Sequence, residues 1–331
     1  MPNLDDEQGR QAVAKSNWFK DLTPATPARA AARQVLATRV STVEQRLGRM
    51  TNRLGEKPED VHKLRVATRR LAAGLSVFRP VLCSRLHKRL RRAARRIRRA
   101  AGAVRDLDVL RVQLEDRLKA RPWMPSGVGK AILRGLDQEC RLARRALAQV
   151  VPRWAKRFSN AAEDLLASLD IESPSRSGLA TKMGRLARVV LGKRLNQLFA
   201  AGRADLADLG NMHRLRIAAK RLRYAMEVFA GCYPTEFRGG VYQQVESIQS
   251  ELGAVNDLKN LVETLLRLQP RPALRSRPAR RPATGRLIDQ FTQEIGQELR
   301  TRQHEFSIRW TKELPDLRRR FRRFLARQAI I

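Results

Sequence analysis

The chain repeats itself. Shifting its 331 residues by 151, without a gap, lays VHKLRVATRRLAAGLSVF (61–78) on MHRLRIAAKRLRYAMEVF (212–229), and eight of the 18 positions are identical. They are His62/His213, Leu64/Leu215, Arg65/Arg216, Ala67/Ala218, Arg70/Arg221, Leu71/Leu222, Val77/Val228 and Phe78/Phe229. The same offset lays GAVRDLDVL (102–110) on GAVNDLKNL (253–261), with six of nine identical. One register held across two separated blocks marks a tandem duplication of a unit of about 150 residues.

Each unit reads as helix throughout. Apolar residues fall at steps of three and four, Ala, Leu and Arg dominate, and Pro and Gly collect between the periodic segments. The pattern predicts helices near 28–53, 58–80, 84–101, 106–120, 128–150 and 153–169, then near 179–202, 206–231, 236–252, 257–268, 284–312 and 315–328. Gly102 and Gly253 are expected to end helices, with Asp106 and Asp257 capping the next. Residues 1–25 read as a loose lead-in to a domain spanning 26–328. Its halves are 26–172 and 178–328, joined through Ser173-Pro174-Ser175-Arg176-Ser177-Gly178. The Pro/Arg-rich stretch 270–282 reads as a mobile basic loop.

At 100° per residue, Val61, Leu64, Thr68, Leu71, Leu75 and Phe78 make one stripe, matched by Met212, Leu215, Ala219, Leu222, Met226 and Phe229. Such stripes are packing seams of a helical bundle. His62, Arg65 and Arg69 form a second stripe about 120° away, matched by His213, Arg216 and Lys220. Arg70 and Arg221 extend the charge around each helix. An isolated basic face is ordinarily just solvated. Here it recurs in both units, and no Asp or Glu occurs between Asp60 and Asp106 to pair with it. The segment 84–105 adds a dense arginine run in which Lys88, Arg92, Arg95 and Arg99 form a candidate cationic rim; its counterpart 235–256 has one Arg and three Glu.

The whole chain carries 68 Lys+Arg against 32 Asp+Glu, a formal charge of +36, which calls for a polyanionic partner: nucleic acid, an anionic membrane surface or a phosphate polymer. Aromatics are only 5%, too few for binding single strands by base stacking. No stretch free of charged residues exceeds 8, which excludes a spanning helix. Three scattered cysteines and four histidines offer no zinc pattern, and neither a metal nor a cofactor is expected. The acidic N-terminus shows no secretory signal, so the expected location is the cytoplasm. No P-loop, nucleophile elbow or acid/base pair is visible, so no enzyme is expected.

The doubled motif H-x-x-R-V/I-x-x-[RK]-R-L, at 62–71 and 213–222, followed by Arg223-Tyr224 in the second copy and by G-A-V-x-D-L downstream of both, resembles the CHAD domain, the conserved histidine α-helical domain. The resemblance runs over about 25–328. It implies an all-α fold of two pseudo-twofold-related four-helix bundles around a basic central pore or groove. It also implies non-enzymatic binding of inorganic polyphosphate and association with polyphosphate granules. Carried over by position, the binding residues are His62, Arg65, Arg69, Arg70, His213, Arg216, Lys220, Arg221, Arg223 and Tyr224. Ala72 and Ala73 stand where the second copy has Arg223-Tyr224, which loosens the first copy's end of the site. No triphosphate-processing domain is fused to it, so the resemblance carries no catalysis. The rival reading is a sequence-nonspecific nucleic-acid binder; a polyphosphate- or nucleotide-hydrolysing enzyme is disfavoured for want of a metal-binding acid cluster.

Overall fold

A computed structural model describes residues 18–19, 21–53, 57–171, 181–268 and 283–327. The central linker and the basic loop at 270–282 lie outside the described residues. The architecture is all-α, with no strands among the described residues. Eight α-helices follow one another among the described residues: α1 (Ala28–Arg53), α2 (Pro58–Val77), α3 (Ser84–Lys119), α4 (Ser126–Asp170), α5 (Met183–Gly202), α6 (Leu209–Val228), α7 (Gln243–Leu268) and α8 (Ala283–Arg327).

The two motif helices start by different local means. Pro58 supplies a preset φ at the start of α2, and Glu59 and Asp60 place negative charge in its first turn. In α6 the Asp208 side chain accepts the Asn211 N–H at 2.7 Å, a true N-cap. All twelve residues of the two apolar stripes are buried. They hold each motif helix inside a ring of neighbours: α1 packs on α2 and α4, α2 on α3, and α3 on α4, while α5 to α8 repeat the same set of contacts.

Four expected breaks do not occur. α3 runs unbroken through Gly102, and α7 through Gly253, so Asp106 and Asp257 lie inside helices and cap nothing. α4 passes through Pro152 and α8 through Pro315. A helical Gly costs only about 1 kcal/mol and a Pro about 3 kcal/mol. The apolar stripe continues past each one (Val104 and Leu110, Val255 and Leu258, Val151 and Phe158, Trp310 and Phe321 are all buried), and that packing outweighs the local penalty. The described part of the lead-in is also packed: Phe19 and Leu22 are buried, and Trp18 meets Tyr242 edge-on at 4.5 Å.

The halves meet through equivalent helices. α2 packs on α6, flanked by α3 on α7 and, more lightly, α1 on α5. The basic stripes of both motif helices are thereby brought to a common seam.

Candidate functional site

Along that seam lies a cleft of about 130 Å³ built by four helices. α2 contributes His62, Arg65 and Arg69; α6 contributes Arg216 and Lys220; α3 contributes Arg105 and Asp106; α7 contributes Asp257 and Asn260. Five cations therefore face two carboxylates. The two Asp are repeat partners and serve the repeat-partner arginines. Arg65 Nη1 donates to Asp106 Oδ1 at 2.6 Å, and Asp257 lies beside Arg216. Asp106 thus fixes the Arg65 guanidinium in place and Asp257 favours the charge on Arg216, but two carboxylates do not neutralise the cluster.

Electrostatic strain is concentrated here. Burial and the neighbouring Arg216, Arg69 and Arg65 push the Lys220 ammonium down to about 7, against the pull of Asp257. Burial, then Arg105, Arg69 and Arg65, lower His62 and so disfavour its charged form. Burial lowers Arg216 and Arg69 as well, and raises Asp257 against the opposing effect of Arg216. The buried Nε of Arg216 has no hydrogen-bond partner among the described residues. Half-buried cations crowded in this way store repulsion that a bound anion would relieve.

The remaining expected ligands are placed elsewhere. His213 is exposed, its Nδ1 3.1 Å from Asn256 Oδ1. Asn256 stands where the first copy has Arg105, so the two histidines have different neighbours. Arg70 Nε donates to Glu227 Oε2 at 3.1 Å, across the seam between α2 and α6. Glu227 is only 1% exposed and also receives the Tyr242 hydroxyl at 3.3 Å, with Arg39 at 4.0 Å. Arg223 Nη1 donates to Glu246 Oε1 at 2.7 Å, and its guanidinium lies 5.1 Å over the Tyr224 ring. Tyr224 is buried, with its hydroxyl against Arg69. Arg221 is exposed beside Arg194. Lys88, Arg92, Arg95 and Arg99 are all exposed on α3.

Residue-level reading of the sequence left out Arg105 and Arg98. Arg98 is half-buried, and the charges acting on it most strongly are Arg69, Arg95, Arg91 and Arg65. The signal for Arg105 was present: it lies in the repeated GAVRDL block, one residue before the Asp that holds Arg65. Among the described residues, no group of three or more His, Cys, Asp or Glu is placed to hold a metal ion, and no helix is long and apolar enough to cross a membrane.

Comparison with known proteins agrees with the fold. The crystal structure of the CHAD domain from the plant Ricinus communis superposes with a TM-score of 0.62 at 20% identity, covering 92% of this chain and 93% of that one. PptA from Streptomyces chartreusis gives a TM-score of 0.62 at 19% identity, over 86% of this chain and 100% of the other. At such identities the likeness is one of fold. No curated protein matches the sequence. The CHAD domain family itself matches residues 34–266, a span that holds both motif helices and every residue lining the cleft, and the chain belongs to that family.

Proposed function

We propose that the cleft between α2 and α6 binds inorganic polyphosphate, without catalysis, in the cytoplasm, and that this binding brings the protein to polyphosphate granules. One observation carries the reading: cationic side chains from both halves converge on one narrow recess with too few acids to balance them. Membership in the CHAD family supports it. The size of the recess argues for the polymer. At about 130 Å³ it admits phosphate groups of a thin flexible chain, whereas a duplex would have to rest on an outer face. Equivalent helices meeting around one cleft is what a pseudo-twofold relation between the halves would produce, with a basic central groove on its axis.

Within this reading, His62, Arg65, Arg69, Arg216 and Lys220 contact phosphate directly. The exposed Lys88, Arg92, Arg95 and Arg99 add long-range attraction. The nucleic-acid alternative rests on that same outer charge.

Competition at equal charge and physiological salt, long-chain polyphosphate against duplex DNA and RNA, separates the two. Polyphosphate should win. Changing Arg65 and Arg216 together to Lys keeps the charge but removes the planar fork, so polyphosphate binding should weaken by about 1.5–3 kcal/mol per lost charge-assisted bond. DNA binding should hardly respond. Equal weakening for both polymers would favour the diffuse, nonspecific reading.

A further inference from the structure

The cleft is unequal at its two ends. On α3, positions 91, 95, 98, 102, 105 and 109 fall on one helical stripe, occupied by Arg91, Arg95, Arg98, Gly102, Arg105 and Val109. Arg105 and Val109 line the cleft, and Arg98 is close enough to Arg65 and Arg69 to feel both, with Arg95 and Arg91 continuing outward. None of these four arginines is paired with a described acid. Arginines elsewhere on α3 are: Arg89 with Asp164 at 2.6 Å, Arg111 with Asp137 at 2.6 Å, and Arg117 with Glu298 at 2.6 Å. Lys88, Arg92 and Arg99, on the neighbouring face of the same helix, are in no ion pair with a described acid either, so what sets this stripe apart is that it runs out of the cleft past Arg65 and Arg69.

The second half has no such stripe. The residues 151 positions on from Arg91, Arg95, Arg98 and Arg105 are Tyr242, Glu246, Gln249 and Asn256. Glu246 takes Arg223, Tyr242 bonds to Glu227, and Asn256 meets His213. An arginine stripe that would attract a polyanion on one side is replaced on the other by three uncharged side chains and one carboxylate, Glu246, which neutralises Arg223.

From this we infer that a bound polyanion leaves the cleft on one side only, running along α3 over Arg105, Arg98, Arg95 and Arg91, while the α7 side is closed to it by the Glu246–Arg223 pair. The inference rests on the proposed binding of polyphosphate and adds direction and length dependence to it. From residue 91 to 105 the stripe spans about 21 Å of helix. A short oligophosphate fills the cleft without reaching Arg91; a long chain occupies both. Gly102 has no side chain, and an added Cβ there would meet nothing within 4 Å, so the α3 backbone is open to close approach between Arg98 and Arg105.

The test uses the full chain and two probes, tripolyphosphate and long-chain polyphosphate, titrated over a range of salt. In R91Q/R95Q/R98Q the long chain should bind at least tenfold more weakly, and its salt slope should fall by about 2–3, near one unit per lost phosphate contact. Tripolyphosphate should change by less than about threefold, since Arg65, Arg69 and Arg216 remain. K88Q/R92Q/R99Q, on the neighbouring face of the same helix, should cost the long chain less. E246Q, which frees Arg223, should strengthen the long chain and not tripolyphosphate. Helicity by circular dichroism checks each variant, and E246Q keeps the test decisive if the triple variant misfolds. Equal losses for both probes, or equal losses from the two triple variants, overturn the one-sided path and leave the cleft reading standing. Failure of wild type to bind either probe overturns both.

Discussion

Lys220 is the residue whose chemistry the fold alters most usefully. Its folded pKa of about 7 lies below the ordinary 10.5, so between those values the unfolded chain binds the extra proton and the ligand-free protein gains stability as pH rises. Below about pH 7 the cost of keeping the ammonium among Arg216, Arg69 and Arg65 is present in full. A polyanion reverses the balance by favouring the charged amine. Long-chain polyphosphate should therefore bind with proton uptake, and its affinity should fall by about tenfold between pH 6.5 and 9. Lys220→Met should flatten that profile. His62 is also held below its ordinary value and a polyanion favours its charged form too, so the part of the profile that survives Lys220→Met belongs to the imidazole; chain ends, which titrate near 6, are few in a long polymer. Calorimetry in buffers of different ionisation enthalpy reads the proton directly, and a flat wild-type profile would refute the assignment. Glu227 makes a structural counterpart. It anchors Arg70 from the other half and lies 4.0 Å from Arg39, so Glu227→Ala should cost about 3–5 kcal/mol in denaturant unfolding by stranding buried cations. Arg70 looked like a ligand because a helical wheel shows a cation near the binding face; the wheel does not show the carboxylate that waits for it on another helix.

At the scale of elements, glycine separates two kinds of position that look alike in sequence. An added Cβ at Gly253 meets nothing within 4 Å, and the residue sits inside α7. Gly253→Ala should therefore stabilise the protein by about 0.5–1 kcal/mol. Gly202 closes α5 against α8, where the Trp310 indole N–H donates to its carbonyl at 2.8 Å. A Cβ there would enter the indole ring, so Gly202→Ala should lower stability by at least 1–3 kcal/mol, roughly the cost of overpacking. Thermal melts of the two variants should move in opposite directions. Helix existence and face were legible from the three-and-four period, and all twelve stripe residues are buried as that period requires. Helix ends at Gly102, Gly253, Pro152 and Pro315 were not legible, because a local penalty of a few kcal/mol is decided by apolar contacts made at a distance.

Over the whole molecule, +36 of formal charge makes self-repulsion a global term, and the acids that exist are spent in pairs, as in Arg117–Glu298 between α3 and α8 and Arg121–Glu294 between the residues just past α3 and α8. Raising NaCl from low to moderate ionic strength should raise the melting temperature by screening that repulsion. Long-chain polyphosphate at equal charge should raise it further by binding the native state. A melting temperature that falls with salt would mean the ion pairs outweigh the repulsion. By itself, the amino-acid sequence determined the helical class, the duplication, the buried seam of each motif helix and the cationic stripe beside it. The duplication follows from a single 151-residue offset, and the rest from a period of 3.6 residues, which orients every side chain about its own helix axis. The tertiary structure alone decided which stripes face each other. It set α2 against α6, placed Arg105 in the cleft and Arg98 within reach of Arg69 and Arg65, and put Arg70 and Arg223 into pairs with Glu227 and Glu246. Helical periodicity carries no information about what lies across the gap; that is fixed only when the two halves bury their apolar faces together.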